Sequence, residues 1–193
     1  MKSLTDALYL WYYAGMSELY TLDNQPDFED VFGDLDLTML HHGEKHRVFV
    51  YGTLMANMRN HHRIDVPETK LLADRALVYA DFHMFPMKTS GNYLAPIVVY
   101  GEPGEPKGIV HGELYQVDNN MLMTLDMFEG HPLVYRRMWV SVIHNNEAVN
   151  AWMYIYANER PLNQILEADD YNAIQKTDGP QGSTHYRWVG EKV

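Results

Sequence analysis

The chain has 193 residues and a formal net charge of -11, from 15 Lys and Arg against 26 Asp and Glu. That length favours one domain with room for an appendage and can bury a core without staples, while the acidic balance works against general binding to phosphate backbones or anionic lipid surfaces and leaves only a local basic patch open. There is no cysteine, which removes disulfides, thiolate nucleophiles and cysteine-ligated zinc, and no run approaches the roughly 18 apolar residues that span a bilayer.

Residues 3 to 20 read as an amphipathic helix. Ser3 and Asp6 resemble a capping box, and Leu4, Leu8, Trp11, Tyr12, Gly15 and Leu19 fall near one face. No basic n-region leads into an apolar h-region, so no signal peptide is expected and the expected location is cytoplasmic. Residues 21 to 45 are acidic but carry Phe28, Val31, Phe32, Leu35, Leu37 and Leu40, which argues for packing. Residues 1–45 are therefore expected to form an N-terminal helical and acidic extension laid on a main domain, 46–193. The extension is a candidate surface for a protein partner or a dimer contact.

Arg47 to Tyr51 is a short apolar β run that stops at Gly52. Residues 71 to 85 read as strand. Gly101 to Pro106 is a turn cluster, followed by an alternating strand over 108–117. Asp118 is placed to cap a helix that runs through Phe128. Residues 134–143 and 148–157 read as the two strands of a hairpin turning at His144-Asn145-Asn146-Glu147. Pro161 suits the start of a short final helix, and the Gly-Pro-rich tail from Thr177 to Val193 reads as loop. The pattern is α+β, consistent with a small β-barrel flanked by helices.

Two places carry chemistry. On the predicted helix, Leu122 and Leu125 define a buried stripe with Met121 and Phe128 beside them, and Glu129 extends it. Gly130 then suits a left-handed helix terminator. A carboxylate on that face is disfavoured by desolvation and by the negative end of the helix dipole, and both raise its pKa towards the range of a general acid/base. Spacing alone leaves a second reading open, in which the helix frays early and Glu129 is solvated. The other place is Tyr51-Gly52-Thr53-Leu54, where a buried strand meets a glycine. Successive amides there could form an anion-binding concavity, or the glycine could simply end the strand.

Together these segments resemble the γ-glutamyl cyclotransferase family. The resemblance runs through Val48 to Leu54, Asn60-His61, Gly112 to Asp118, Leu125 to Gly130, and then Pro132, Tyr135 and Arg137. A weaker echo lies near Gly179, Gly182 and Tyr186. It is nearest to the γ-glutamylamine cyclotransferase branch. It implies a small β-barrel flanked by helices, no cofactor and no metal. The implied reaction is cleavage of a γ-glutamyl amide, a small-molecule substrate, into 5-oxoproline and a free amine by attack of the substrate's own α-amine. It also implies that Glu129 is the catalytic acid/base and that the amides of Gly52, Thr53 and Leu54 hold the glutamyl part beside Tyr51. Tyr93, Leu94 and Pro96 line the pocket by the same resemblance, and Tyr135 orients the glutamate or closes the pocket. As residues alone, Tyr135 fits a hairpin core equally well. Asn57 stands where the family's loop often has glycine, and asparagine tolerates the same left-handed backbone.

Other signals are weaker. The 10 histidines include His41-His42 and His61-His62, but there is no His-Glu-x-x-His, and neighbours in a strand point to opposite faces. Gly101 to Gly108 lacks P-loop order, and no Gly-x-Ser-x-Gly elbow occurs. Two other function classes stay open: a binding module that holds a γ-glutamyl-like ligand without turnover, and an interaction protein whose acidic extension is the working surface. The amine side of the substrate is also open. By the same resemblance, the glutathione-specific branch usually has a different loop residue where this chain has Thr53, which ranks a glutathione-specific substrate below the other γ-glutamyl amides.

Overall fold

The computed structural model describes residues 45–89, 93–101, 107–157 and 171–190. The expected helix over 3–20, the acidic extension, most of the turn cluster after Gly101 and the helix opening at Pro161 lie outside the described residues. Nine strands and one α-helix are described: β1 Lys45–Val50, β2 Lys70–Ala80, β3 Phe82–Lys88, β4 Leu94–Tyr100, β5 Gly108–Asp118, α1 Asn119–Glu129, β6 Tyr135–His144, β7 Glu147–Tyr156, β8 Ile174–Asp178 and β9 Thr184–Trp188. Neighbouring strands run β1-β7-β6-β2-β5, and β5 pairs back onto β1, so five strands close a barrel. The closing β1–β7 pair is parallel (Val48 opposite Trp152), while β5 meets β1 and β2 antiparallel.

β5 is the spine. One of its edges pairs with β2 along nearly its whole length, and the other is shared between β9 and β1. Such a strand is covered on both faces, and most of its residues are buried. β2 breaks strict alternation at two register shifts between Leu71 and Ala76, which bend the strand as barrel closure requires. The core fills with Phe49, Ile64, Phe82, Met84, Leu125, Met153 and Trp188, each at most 1% exposed. The hairpin forms as expected: β6 and β7 pair from Tyr135–Tyr156 to His144–Glu147, and Asn145 and Asn146 both take positive φ, the backbone that a tight two-residue turn needs.

Three expectations change. The strand expected over 71–85 is two strands, β2 and β3, divided at Asp81. β4 was not expected, and it carries Pro96, a residue that strands hold only at edges or bulges. Among the described residues it pairs only with β3, Pro86 opposite Pro96, in a two-stranded ribbon. The tail is not a loop: Ile174–Asp178 and Thr184–Trp188 form an antiparallel pair, and β9 adds to β5 in parallel. Gly179-Pro180 and Gly182 mark only the turn between them. Buried Tyr186 and Trp188 supply the apolar anchors that the turn residues obscured.

α1 starts where Asp118 accepts a hydrogen bond from Met121 N–H, and ends at Gly130 with φ 62°. It packs on β1 and β5 through Leu122 and Leu125. Asp126 is also buried. Its carboxylate accepts from Arg137 Nη1 of β6 and from Tyr154 Oη of β7, each at 2.7 Å. Arg137 lies over the Trp152 ring, 4.6 Å from its centroid. Burial pushes the Asp126 pKa up, against the lowering effect of Tyr154, Arg137 and His131. This network pins the last turn of the helix to the barrel.

Removing one partner of a buried pair strands the other charge. Arg137→Met is expected to cost about 3 to 5 kcal/mol in urea unfolding. Adding Asp126→Asn to that variant should restore a substantial part of the loss. Equal stability of Arg137→Met and wild type would show that the pair does not hold the helix.

Candidate active site

The end of β1, the end of α1 and the start of β4 converge on a cavity of ≈ 420 Å³. Tyr51, Gly52, Thr53, Leu54, Tyr93, Pro96, Glu129 and Tyr135 line it. Leu94 does not line it and sits half-buried beside it in β4. Eight of the nine residues proposed from sequence therefore share one cavity. Phe49, Asn60, Met87, Lys88, Thr89, Phe128 and Tyr154 also contribute to its wall. Asn60 was legible only as part of the family-like pattern, and Lys88 gave no signal, because β3 and β4 were not resolved as a ribbon.

The loop after β1 is folded through its carbonyls. Gly52 C=O accepts from Met55 N–H at 3.0 Å, and Thr53 C=O accepts from Asn60 N–H at 2.9 Å. Side chains fix it further. Asn60 Nδ2 donates to Thr53 Oγ1 at 3.0 Å, His61 Nδ1 to Leu54 C=O at 3.0 Å, and Ala56 N–H to buried Glu113 Oε2 at 2.9 Å. Among the described residues no backbone acceptor takes the N–H of Gly52, Thr53 or Leu54. All three residues line the cavity, and consecutive amide donors of this kind can accept an anion. Asn57 adopts φ 61°, the left-handed backbone expected of it. Gly52 is required by close approach: a Cβ there would lie 2.5 Å from Pro96 Cγ.

Glu129 retains some accessible surface because it faces the cavity. Its carboxyl is raised to about 8, and desolvation is the cause. Among the described residues no cation offsets it. Two phenols of the cavity wall interact with it electrostatically. Tyr51 Oη donates to Tyr154 C=O at 2.7 Å, and Tyr135 Oη donates to Pro96 C=O at 3.2 Å. Burial raises both phenols well above their ordinary range, and the charge of Glu129 raises them further. The helix dipole opposes the carboxylate as well. The cavity thus holds one proton-exchanging group near neutral pH among phenols that stay protonated.

A sequence profile of the family described as "Gamma-glutamyl cyclotransferase, AIG2-like" matches residues 48–173. This chain belongs to that family. The γ-glutamylaminecyclotransferase of Rattus norvegicus is 29% identical over 150 residues, covering 70% of this chain and 92% of the relative. A provisionally named γ-glutamylcyclotransferase of Drosophila melanogaster is 34% identical over 113 residues, 58% of this chain and 70% of the relative. The crystal structure of an AIG2-like protein from Mus musculus superposes with a TM-score of 0.51 at 26% identity, covering 78% of this chain and 99% of that one. The barrel with its helix is the cyclotransferase fold. Among the described residues no helix is long and apolar enough to cross a membrane, and no cluster of three His, Cys, Asp or Glu is placed to hold a metal ion.

A carboxyl held above its unfolded pKa binds its proton more tightly in the folded state. The stability that this gives is fully present below the ordinary pKa of 4.5 and is lost as pH rises towards 8. Glu129→Gln keeps the neutral form at every pH. Its Tm should therefore pull ahead of wild type progressively between pH 4.5 and 8 and stay ahead above that. A Tm difference that does not change with pH would mean that Glu129 is solvated.

Proposed function

We propose that this cyclotransferase cleaves a γ-glutamyl amide by intramolecular cyclisation, with Glu129 as its general acid/base. The observation that carries this reading is the desolvated carboxyl of Glu129, raised to about 8, in the same cavity as the loop amides of residues 52–54. The family and the similarity to a named γ-glutamylaminecyclotransferase support the substrate class.

The chemistry needs little more. The substrate brings its own nucleophile, so the attack is unimolecular and gains the rate advantage of proximity. The α-nitrogen attacks the γ-carbonyl carbon, a C–N bond of the new ring forms, and the bond to the departing nitrogen breaks. Two protons leave the α-ammonium as it becomes the lactam N–H, and both end on the departing nitrogen. Glu129 carries them in turn, so it finishes in the state in which it began. The products are 5-oxoproline and the freed amine, with no water consumed. The amides of Gly52, Thr53 and Leu54 hold the anionic parts of the glutamyl group, and donors aimed at a developing oxyanion lower the barrier. Tyr51 and Tyr135 wall the pocket, and Tyr135 braces β4 through Pro96.

Purified protein incubated with a panel of γ-glutamyl amides should release 5-oxoproline. Glu129→Gln should lower turnover by about 10²-fold or more, the usual worth of a positioned acid/base. Full turnover by that variant would remove Glu129 from the role.

The pH dependence gives a second check. The base must be ionised, so kcat/KM should rise with pH along a limb near the free enzyme's value of about 8. The limb of kcat should lie at lower pH, because a bound α-ammonium supplies the positive charge that the empty cavity lacks. Coincident limbs would contradict contact between the ammonium and Glu129.

A further inference from the structure

The loop that follows β1 borders two cavities. Residues 52–54 and Asn60 line the candidate active site, and Met55 to Met58 line a second cavity of ≈ 380 Å³. The two have no lining residue in common among the described residues. The rest of the second wall comes from the bulged part of β2, from β5 and from the end of β9. Two buried polar groups in that wall are left open. Trp188 is 1% exposed, and its indole N–H meets no acceptor among the described residues. Glu113 is 8% exposed and uses one oxygen twice: Oε2 accepts from Ala56 N–H at 2.9 Å and from Tyr115 Oη at 2.8 Å. Among the described residues no donor takes its Oε1. Buried polar groups are normally paired, so a ligand with both an acceptor and a donor would complete this wall.

The same wall carries charge of both signs. Asp74, Arg75 and Arg187 line it and are exposed, and none has an ion-pair partner among the described residues. Arg187 is held by an imidazole: its Nη2 donates to His111 Nδ1 at 3.4 Å. An arginine can only donate, so His111 accepts at Nδ1, carries its proton on Nε2 and donates it to His185 Nδ1 at 2.8 Å. Burial lowers the pKa of His111, and Arg187 and His185 lower it further, which keeps that tautomer neutral. A simple anion in this cavity would meet Asp74 and Glu113, and a simple cation would meet Arg75 and Arg187. A small molecule that carries both charges is opposed by neither pair.

We propose that the second cavity is a binding site for a small zwitterion, a free α-amino acid. Its carboxylate meets Arg187 and the Trp188 indole N–H, and its ammonium meets Glu113 Oε1 beside Asp74. Glu113 links this site to the loop, because the carboxylate that would receive the ammonium already holds Ala56 N–H. A charge anchored on Oε1 fixes that carboxylate, and with it the loop that carries residues 52–54. Binding of the zwitterion is independent of the cyclisation reading. Its effect on turnover rests on that reading, with the loop as the substrate wall.

NMR of the full chain reads the site directly. The 4 tryptophans give separate indole N–H signals, and Trp188→Phe identifies the one concerned. Titration with glycine, alanine and leucine should move the Trp188 indole proton downfield as it gains an acceptor. Leucinamide lacks the carboxylate and N-acetyl-leucine lacks the ammonium, so each should bind about tenfold more weakly than leucine or worse. Leucine should lose a similar factor on Arg187→Gln protein. A Trp188 signal that none of the three amino acids moves, or equal binding of leucine and its two blocked forms, would overturn the site. Saturating leucine should also lower KM for a γ-glutamyl amide by about fivefold, an effect that Arg187→Gln removes without changing KM in the absence of leucine. An unchanged KM with the Trp188 signal saturated would overturn the link to the loop. If the Trp188 signal responds and no γ-glutamyl amide yields 5-oxoproline, cyclisation fails and the site stands. If 5-oxoproline forms and the signal stays still, cyclisation stands and the site fails.

Discussion

The last turn of α1 carries two acidic groups three residues apart that are treated in opposite ways, and the site depends on that difference. Asp126 is compensated: an arginine and a phenol each hold one of its oxygens. Glu129 faces the cavity with no cation among the described residues to offset its burial. The first carboxylate fixes the helix to β6 and β7, and so fixes where the second one points. A helix end held only by apolar contacts could rotate or fray, and Glu129 would then reach water and return to an ordinary carboxyl. The stabilised pair keeps the destabilised group in place.

Barrel closure supplies the other half of the site. β1 must pair with both β5 and β7, so it ends at a fixed height in the barrel, and the chain leaves it as the loop of residues 51–54. β5 runs directly into α1 through the Asp118 cap, so the helix ends beside that same loop. Donors and acid are brought together by two strands that pair with one another, though they are far apart in sequence. β4 completes the wall, since the Pro96 ring sits against Gly52 and its carbonyl takes the Tyr135 hydroxyl. A side chain at residue 52 could be fitted only by moving that ring, which would displace the loop amides.

Much of this was readable from the sequence because the signals were local. The apolar run ending at Gly52, the Leu122–Leu125–Glu129 spacing, the Gly130 stop and the two asparagines of the hairpin each carry their meaning within a few residues. The ambiguity over Glu129, pocket-facing or solvated, could not be settled that way. Only tertiary contacts decide whether the last helical turn is held, and the Asp126–Arg137–Tyr154 network joins three elements. β4 was missed for a related reason. A proline inside a strand is penalised only if its missing N–H would have been used, and use depends on which strands lie beside it. The tail was misread because its Gly-Pro turn dominated a short stretch. Its strands exist because β5 has an edge left open beside residues 108–110, which is information held elsewhere in the chain.

The chemistry follows from what the cavity lacks. Phenols can accept and orient but carry no charge near neutral pH, since burial raises Tyr51 and Tyr135 well above their ordinary range. An empty cavity therefore holds a neutral acid among neutral phenols. A ligand bearing an ammonium group changes that balance, because it brings the counter-charge that lets Glu129 ionise where the protein alone does not. Under the proposed cyclisation, binding and activation then become one event: the group that must lose a proton is also the group whose charge creates the base. A ligand without the ammonium would leave Glu129 mostly protonated at neutral pH. On the same reading, a preference for an α-amino group would follow from the desolvation of this one carboxyl.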